Sequence, residues 1–340
     1  MKVWMLIIVL AAITMASPGE GRTAEPIVIR FSHVVAEDTP KGKAAAFFKR
    51  RAEALTGGRV RVDVYPNSTL YKDRDEMEAL QLGAVQMLAP SLAKFGVLGM
   101  PEFEVFDLPY IFDGQASLER VTNGPIGRQL LASLGARGIT GLAFWDNGFK
   151  SFSANTPIRK PEDLAGKRMR IQPSRVLEEQ MIALGAVPQM MAFSEVYDAL
   201  RIGVVDGTEN PHSNLYSQRM HEVQKHIALT EHGYLGYAVI TNRKFWDGLP
   251  RPVRRQLEQA VREASEYANR IAREENERAI EQVRAAGTTE IHRLDAAERK
   301  AFKDALLPVH ARMAERIGAD LIKRIYAETG FDAAGVWPSE

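Results

Sequence analysis

Residues 167–214, KRMRIQPSRVLEEQMIALGAVPQMMAFSEVYDALRIGVVDGTENPHSN, decide the fold. The stretch opens on a short alternating run: Met169 and Ile171 share one face and Arg168, Arg170 and Gln172 the other, the pattern of a half-buried strand. Arg170 is therefore expected to project away from the apolar layer beneath it. A helix should follow, with Ser174 as N-cap, Val176, Leu177, Met181 and Leu184 on one side, and Gly185 as its stop. A second helix is expected from Ser194, with Glu195 against its positive start and Gly203 at its end. Asp206-Gly207 then turns the chain, and Glu209-Asn210-Pro211 reads as a polar elbow. Strands alternating with helices in under fifty residues make an α/β lobe, whose strand ends and loops are where small ligands bind.

Towards the N-terminus the same alternation continues. Ile27 to Phe31 reads as a buried strand, and Thr39 with Pro40 starts a helix that runs to Gly57-Gly58. Val60, Val62 and Val64 alternate with charged residues in a second strand. Asp73 and Glu76 have capping-box spacing before a helix that stops at Gly83, and Val85 to Ala89 reads as a third strand. This βαβαβ order predicts parallel pairing with loops gathered at one edge. PEFEVFDLPYIF, residues 101–112, has neither period and is expected to be a loop packed by its own rings. Helical spacing resumes from Gln115 to Leu134. Ile139 to Trp145 and Phe149 to Ser153 read as two strands, separated by a break at Asp146-Asn147-Gly148 where the chain crosses into a second lobe.

Beyond the opening stretch, GYLGYAVIT, residues 233–241, is apolar and β-prone and reads as the return crossing. Arg251 to Ala285 has helical spacing throughout and would extend ~50 Å, so one helix should touch both lobes. REENER, residues 273–278, interrupts its apolar stripe at the expected passage between them. Asp295 and Glu298 form another capping-box pair, and the remaining helices are expected to pack on the second lobe. The boundaries that follow are 25–147 plus 236–273 for lobe I and 148–235 plus 274–334 for lobe II.

Composition narrows the function. The 340-residue length suits about two domains, and 45% hydrophobic residues are enough for real cores. Lysine and arginine number 44 against 43 acidic residues, which gives no bulk electrostatic case for nucleic acid or an anionic membrane. MKVWMLIIVLAAITMAS at the start has the layout of a secretory signal peptide, assigned to residues 1–24, with an apolar run too short to span a bilayer. After its removal the protein is expected to be soluble outside the cytoplasm, with no membrane insertion. Cysteine is absent, which removes cysteine-based catalysis and metal binding. The histidines at 212, 221, 226 and 232 lack metal-ligand spacing, neither Ser91 nor Ser174 sits in a GxSxG elbow, and there is no glycine-rich phosphate loop. No metal, cofactor or catalytic residue is expected.

Arg170 is the first candidate for a binding role, because a guanidinium presents a rigid fork to a carboxylate. On spacing alone, an arginine on an alternating strand is more often a solvated surface residue. Lys41 and Lys72 precede helices whose N-termini should face the cleft, making them candidates for a second carboxylate. Ser91, at a strand end, could donate a hydroxyl. Phe193, Trp145 and Tyr237 could line a cavity, although an aromatic beside an apolar run is more often core. His33 could contact ligand or be a structural histidine.

VPQMMAFSEVYDALRIGVVDGTEN, residues 187–210, resembles the signature of the solute-binding proteins of TRAP (tripartite ATP-independent periplasmic) transporters. RMRIQPS, residues 168–174, resembles the strand bearing that family's carboxylate-binding arginine. HVVAEDTPKGKAA, residues 33–45, and VYPNSTLYKDRDEMEALQLGAVQMLAPSLAKF, residues 64–95, resemble its C4-dicarboxylate branch more than its sialic-acid branch. The resemblance covers nearly the whole chain after the leader. It implies a type II-like, two-lobed α/β periplasmic binding protein with a long helix spanning both lobes, closing on a small organic acid such as succinate, fumarate or malate. By the same resemblance Arg170 meets the carboxylate, Asn210 meets it from the neighbouring loop, and Lys150 supplies a second basic group where the sialic-acid branch has arginine. The partners it implies are the small and large membrane subunits of a TRAP transporter. A periplasmic enzyme acting on organic acids and a ligand-presenting sensor subunit are the alternatives; the first lacks a visible nucleophile or acid/base pair.

Overall fold

The computed structural model describes residues 25–334, 336 and 337, so the expected signal peptide lies outside the described residues. Its strands are β1 (Ile27–Ser32), β2 (Val60–Tyr65), β3 (Met87–Leu88), β4 (Ile139–Ala154), β5 (Arg168–Ile171), β6 (Val187–Met190), β7 (Gly207–Asn210), β8 (His226–Asn242) and β9 (Glu290–His292). They hydrogen-bond in the order β2-β1-β3-β8-β4-β7-β5-β6, with β9 also on β8. β1 pairs parallel with both β2 and β3, as a βαβαβ order requires.

β4 and β8 carry the architecture. They run antiparallel from Ile139↔Asn242 at one end to Ala154↔His226 at the other. β3 joins β8 at Thr241 and Ile240, whereas β7 joins β4 at Ser151 to Ala154, so the two small sheets attach to opposite ends of the long ribbon. That arrangement is the two-lobed α/β fold. Asp146-Asn147-Gly148 does not break the strand; a register shift between Asp146 and Gly148 leaves β4 continuous. Such a bulge bends a strand without ending it, and Gly148 takes it at a φ of 118°.

The helix Arg251–Ala286 is 36 residues long, about 54 Å at the standard rise. Leu257, Ala260, Val261, Ala264 and Ala268 pack with Ala44, Ala45, Phe48 and Ala52 of the helix Pro40–Leu55, and small residues on both faces let the backbones approach. Further along, Val283 joins a different core with Val196, Leu200 and Leu215. Between these cores Asn276, inside the REENER interruption, donates to the Asn147 carbonyl at 2.6 Å and accepts from the Ser213 N–H at 2.9 Å. The polar break in the apolar stripe is thus where the helix grips the bulge of β4.

Several local expectations are corrected. Asp73 and Glu76 form no capping box: the helix begins at Glu76, with Asp75 at the cap position. The third strand shrinks to two residues. Residues 101–107 form a 3-10 helix rather than a loop, although Phe106 stacks on Phe112 as packing by the segment's own rings predicts. The helical run from Gln115 is divided at Gly124-Pro125. Ser194 is no N-cap but lies within a 3-10 turn, Phe193–Glu195, leading into the helix Val196–Arg201. Glu209 and Asn210 are buried strand, not an elbow. The C-terminal helices are not confined to the second lobe: Arg316 pairs with Glu104 at 2.6 Å, His310 with the Pro109 carbonyl at 2.7 Å, and Arg120 with the Glu328 carbonyl at 3.0 Å.

Gly207 is required by packing. It lies between β4 and β5, and a Cβ there would stand 2.3 Å from the Ser153 carbonyl and 2.8 Å from Met169 Sδ. Gly207→Ala is expected to lower the urea unfolding free energy by about 1–3 kcal/mol; unchanged stability would mean that the strands spread without cost.

Candidate functional site

A cavity of about 20 Å³ lies where the two small sheets face each other, lined by Lys41, Asp73, Ser91, Lys94, Arg170, Gln172, Phe193, Asn210, Asn214 and Tyr237, with Val34, Val35 and Leu235. Four charged side chains around so small a space set its chemistry; as it stands it has room for about one water, so a larger ligand needs the walls to part.

Arg170 arrives from β5, which is flanked by β6 and β7. It is only 3% exposed, so its face of the strand looks into the cavity rather than into water. Its Nε and Nη2 donate to the Met191 carbonyl at 3.1 and 2.8 Å, and its guanidinium carbon stands 5.6 Å from the centre of the Phe193 ring. One edge of the fork is thereby fixed and the other left for an anion. Burial pushes its pKa down against the pull of Asp73, Glu209 and Glu195, yet a guanidinium stays charged in proteins. Asn210, on β7, donates from Nδ2 to Thr208 Oγ1 at 3.3 Å.

The other wall comes from β1, β3 and the segments after them. Lys41, in the first turn of the helix Pro40–Leu55, is 1% exposed; Nζ donates to the Ala89 carbonyl at 3.0 Å and lies 3.8 Å from the Tyr237 ring centre. Lys94 is ion-paired with both Asp73 and Glu76. Burial would lower the Lys94 pKa, but these two carboxylates raise it. Burial would likewise raise Asp73, but Lys94, the Phe193 N–H and Arg170 bring it down to about 2. Two hydrogen bonds cross between the walls: Phe193 N–H to Asp73 Oδ2 at 2.6 Å, and Gln172 Nε2 to Ser91 Oγ at 2.7 Å.

Six of the expected site residues, Lys41, Ser91, Arg170, Phe193, Asn210 and Tyr237, line this cavity. Four do not. Lys72 is exposed, because the helix it was expected to precede starts at Glu76, well past it. Trp145 is core, its indole N–H donating to Ser265 Oγ at 2.8 Å. His33 is buried edge-on to Phe31, and burial followed by Lys41 lowers its pKa to about 3. Lys150 is buried beside the site and pairs with Glu209 Oε1 at 2.7 Å, while Glu209 Oε2 meets His232 Nε2 at 2.8 Å. Asp73, Lys94, Gln172 and Asn214 were missed. Gln172 shares a strand face with Arg170 and could have been found by extending that alternation; Lys94 and Asp73 carry no local signal.

A long two-strand ribbon bearing a small sheet at each end, with an arginine-lined cavity between them, defines a solute-binding protein. The chain belongs to the bacterial extracellular solute-binding proteins, family 7, whose family model matches residues 31–317. It is 65% identical over 306 residues, 90% of this chain and 92% of the relative, to the C4-dicarboxylate-binding periplasmic protein DctP of Rhodobacter capsulatus. Among solved structures it is similar to a TRAP periplasmic solute-binding protein from Sulfurospirillum deleyianum with bound succinate, at 43% identity and a TM-score of 0.86, covering 88% of this chain and 98% of that one. A Pseudomonas aeruginosa TRAP solute-binding protein with bound L-malate matches at 44% identity and a TM-score of 0.83, covering 84% and 100%. The protein is therefore a periplasmic solute receptor and not an enzyme. Among the described residues, no helix is long and apolar enough to cross a membrane.

Proposed function

We propose that this receptor binds a C4-dicarboxylate, of the succinate, fumarate or malate kind, and delivers it to the small and large membrane subunits of a TRAP transporter. The observation that carries the ligand class is the distribution of counter-charges in the cavity. Lys94 already has two carboxylates, whereas among the described residues Arg170 and Lys41 have none within ion-pair distance. They come from opposite walls, so a diacid can neutralise both and hold the walls together. The names of the relatives and the bound succinate and malate of the neighbours support the same class.

Closing the cavity without ligand leaves Arg170 a buried cation with no counter-charge, which favours opening; the diacid reverses that balance because it interacts differently with the two states. In a thermal-shift panel, succinate, fumarate and malate at 100 times their dissociation constants should each add about 2.7 kcal/mol of stability. Butyrate, which leaves Lys41 without an anion, should bind far more weakly. A strong shift with butyrate and none with any diacid would overturn the dicarboxylate reading.

A further inference from the structure

Lys41 differs from the other cavity cations in a way that bears on what the ligand brings with it. Lys94 is matched by Asp73 and Glu76, and Arg170 stays charged whatever its surroundings. Lys41 has a carbonyl at 3.0 Å and an aromatic face at 3.8 Å, but among the described residues no carboxylate within ion-pair distance. An amine 1% exposed in that setting pays for its charge in lost hydration.

We propose that Lys41 is a proton-binding site linked to ligand capture: the cavity takes in a dicarboxylate together with one proton, which the Lys41 amine accepts from solvent as the second carboxylate arrives. This rests on the dicarboxylate reading above. The step balances as a neutral amine gaining one proton to become an ammonium beside a carboxylate. With the walls together and Lys41 buried, as in this structure, burial and then the Lys94 charge push Lys41 down to about 7, against Glu76 and Asp73. An incoming anion opposes both effects and moves it up.

The groups facing Lys41 leave one competitor. His33 is held neutral by burial. Asp73 stays ionised, Lys94 is raised by its carboxylates, and burial raises the Tyr237 phenol so that it keeps its proton. Glu76, raised by burial despite Lys94, is the other group able to take up a proton when an anion enters.

The sign is fixed by linkage: a group whose pKa rises on binding leaves affinity level below its free value and weakens it above. Titration calorimetry with succinate, in two buffers of different ionisation heat between pH 6.5 and 8.5, should give proton uptake rising towards one per succinate. The dissociation constant should weaken by about tenfold per pH unit above 7. Succinate is itself nearly fully ionised over this range. In Lys41→Arg, permanently charged, whatever succinate binding remains should show neither the uptake nor the slope. Should that variant fail to bind, Glu76→Gln decides, since uptake at Lys41 survives it and uptake at Glu76 does not. Succinate binding without uptake overturns the proposal and leaves the ligand class standing, as does uptake that persists in Lys41→Arg. No binding of any diacid overturns the ligand class instead.

Discussion

Arg170→Ala should bind succinate about 30-fold to several thousand-fold more weakly than the unmodified protein in titration calorimetry. The range follows from the cost of truncating one partner of a buried, hydrogen-bonded charge pair, about 2–5 kcal/mol, at 1.4 kcal/mol per tenfold. The Met191 carbonyl takes two of the five guanidinium N–H donors, leaving three for the ligand. Each charge-assisted bond lost from a closed cavity also leaves a carboxylate oxygen without a partner. The unliganded protein should not suffer equally, because in the empty cavity Arg170 is a buried cation whose nearest carboxylates make no direct contact with it. Melting temperature without ligand should therefore stay close to normal while the succinate-induced shift disappears. Arg170→Lys should fall between, keeping the charge but losing the fork. Near-normal affinity in Arg170→Ala would remove this side chain from the site.

What the sequence made legible was periodic. The alternation of β5 put Arg170 and Gln172 on one face, and the apolar spacing of the long helix carried it across both lobes. The polar interruption at REENER marked the passage, though not that Asn276 would grip Asn147 and Ser213 there. Long-range pairing was not legible. Asp73 and Glu76 satisfy a capping pattern, but Asp73 is taken by Lys94 and by the N–H of Phe193, 120 residues away. Glu209-Asn210-Pro211 looks like a surface elbow because its side chains are polar; it is interior strand because Lys150 and His232 meet Glu209 from neighbouring strands. Likewise, Asp146-Asn147-Gly148 has the residues of a turn, and only pairing with β8 makes it a bulge.

The same interior pairing leads to a stability effect as large as the binding effect of Arg170. Glu209 is 4% exposed, Lys150 1% and His232 fully buried, with Phe152 stacked on the imidazole at 3.8 Å. Glu209 accepts from Lys150, and since an ionised carboxylate only accepts, His232 must present Nε2–H to it; burial lowers the His232 pKa and favours the neutral ring, whose Nδ1 then takes a hydrogen bond from Thr230, 2.7 Å away. Burial alone would raise the Glu209 carboxyl, but Lys150 and His232 bring it down to about 2. A depressed acid stabilises the fold above its unfolded value of 4.5, and that contribution fades as pH falls from there towards about 2. Glu209→Leu should cost about 3–5 kcal/mol at neutral pH, because it strands the Lys150 ammonium without a partner. The double variant Lys150→Met, Glu209→Leu should recover part of that loss, since it removes the orphaned charge along with its partner. Urea unfolding of both, at pH 7 and again at pH 3, separates the effects: the gap between the unmodified protein and Glu209→Leu must narrow in acid. A gap equal at the two pH values, or a double variant worse than the single one, would show that Glu209 acts by shape rather than by charge.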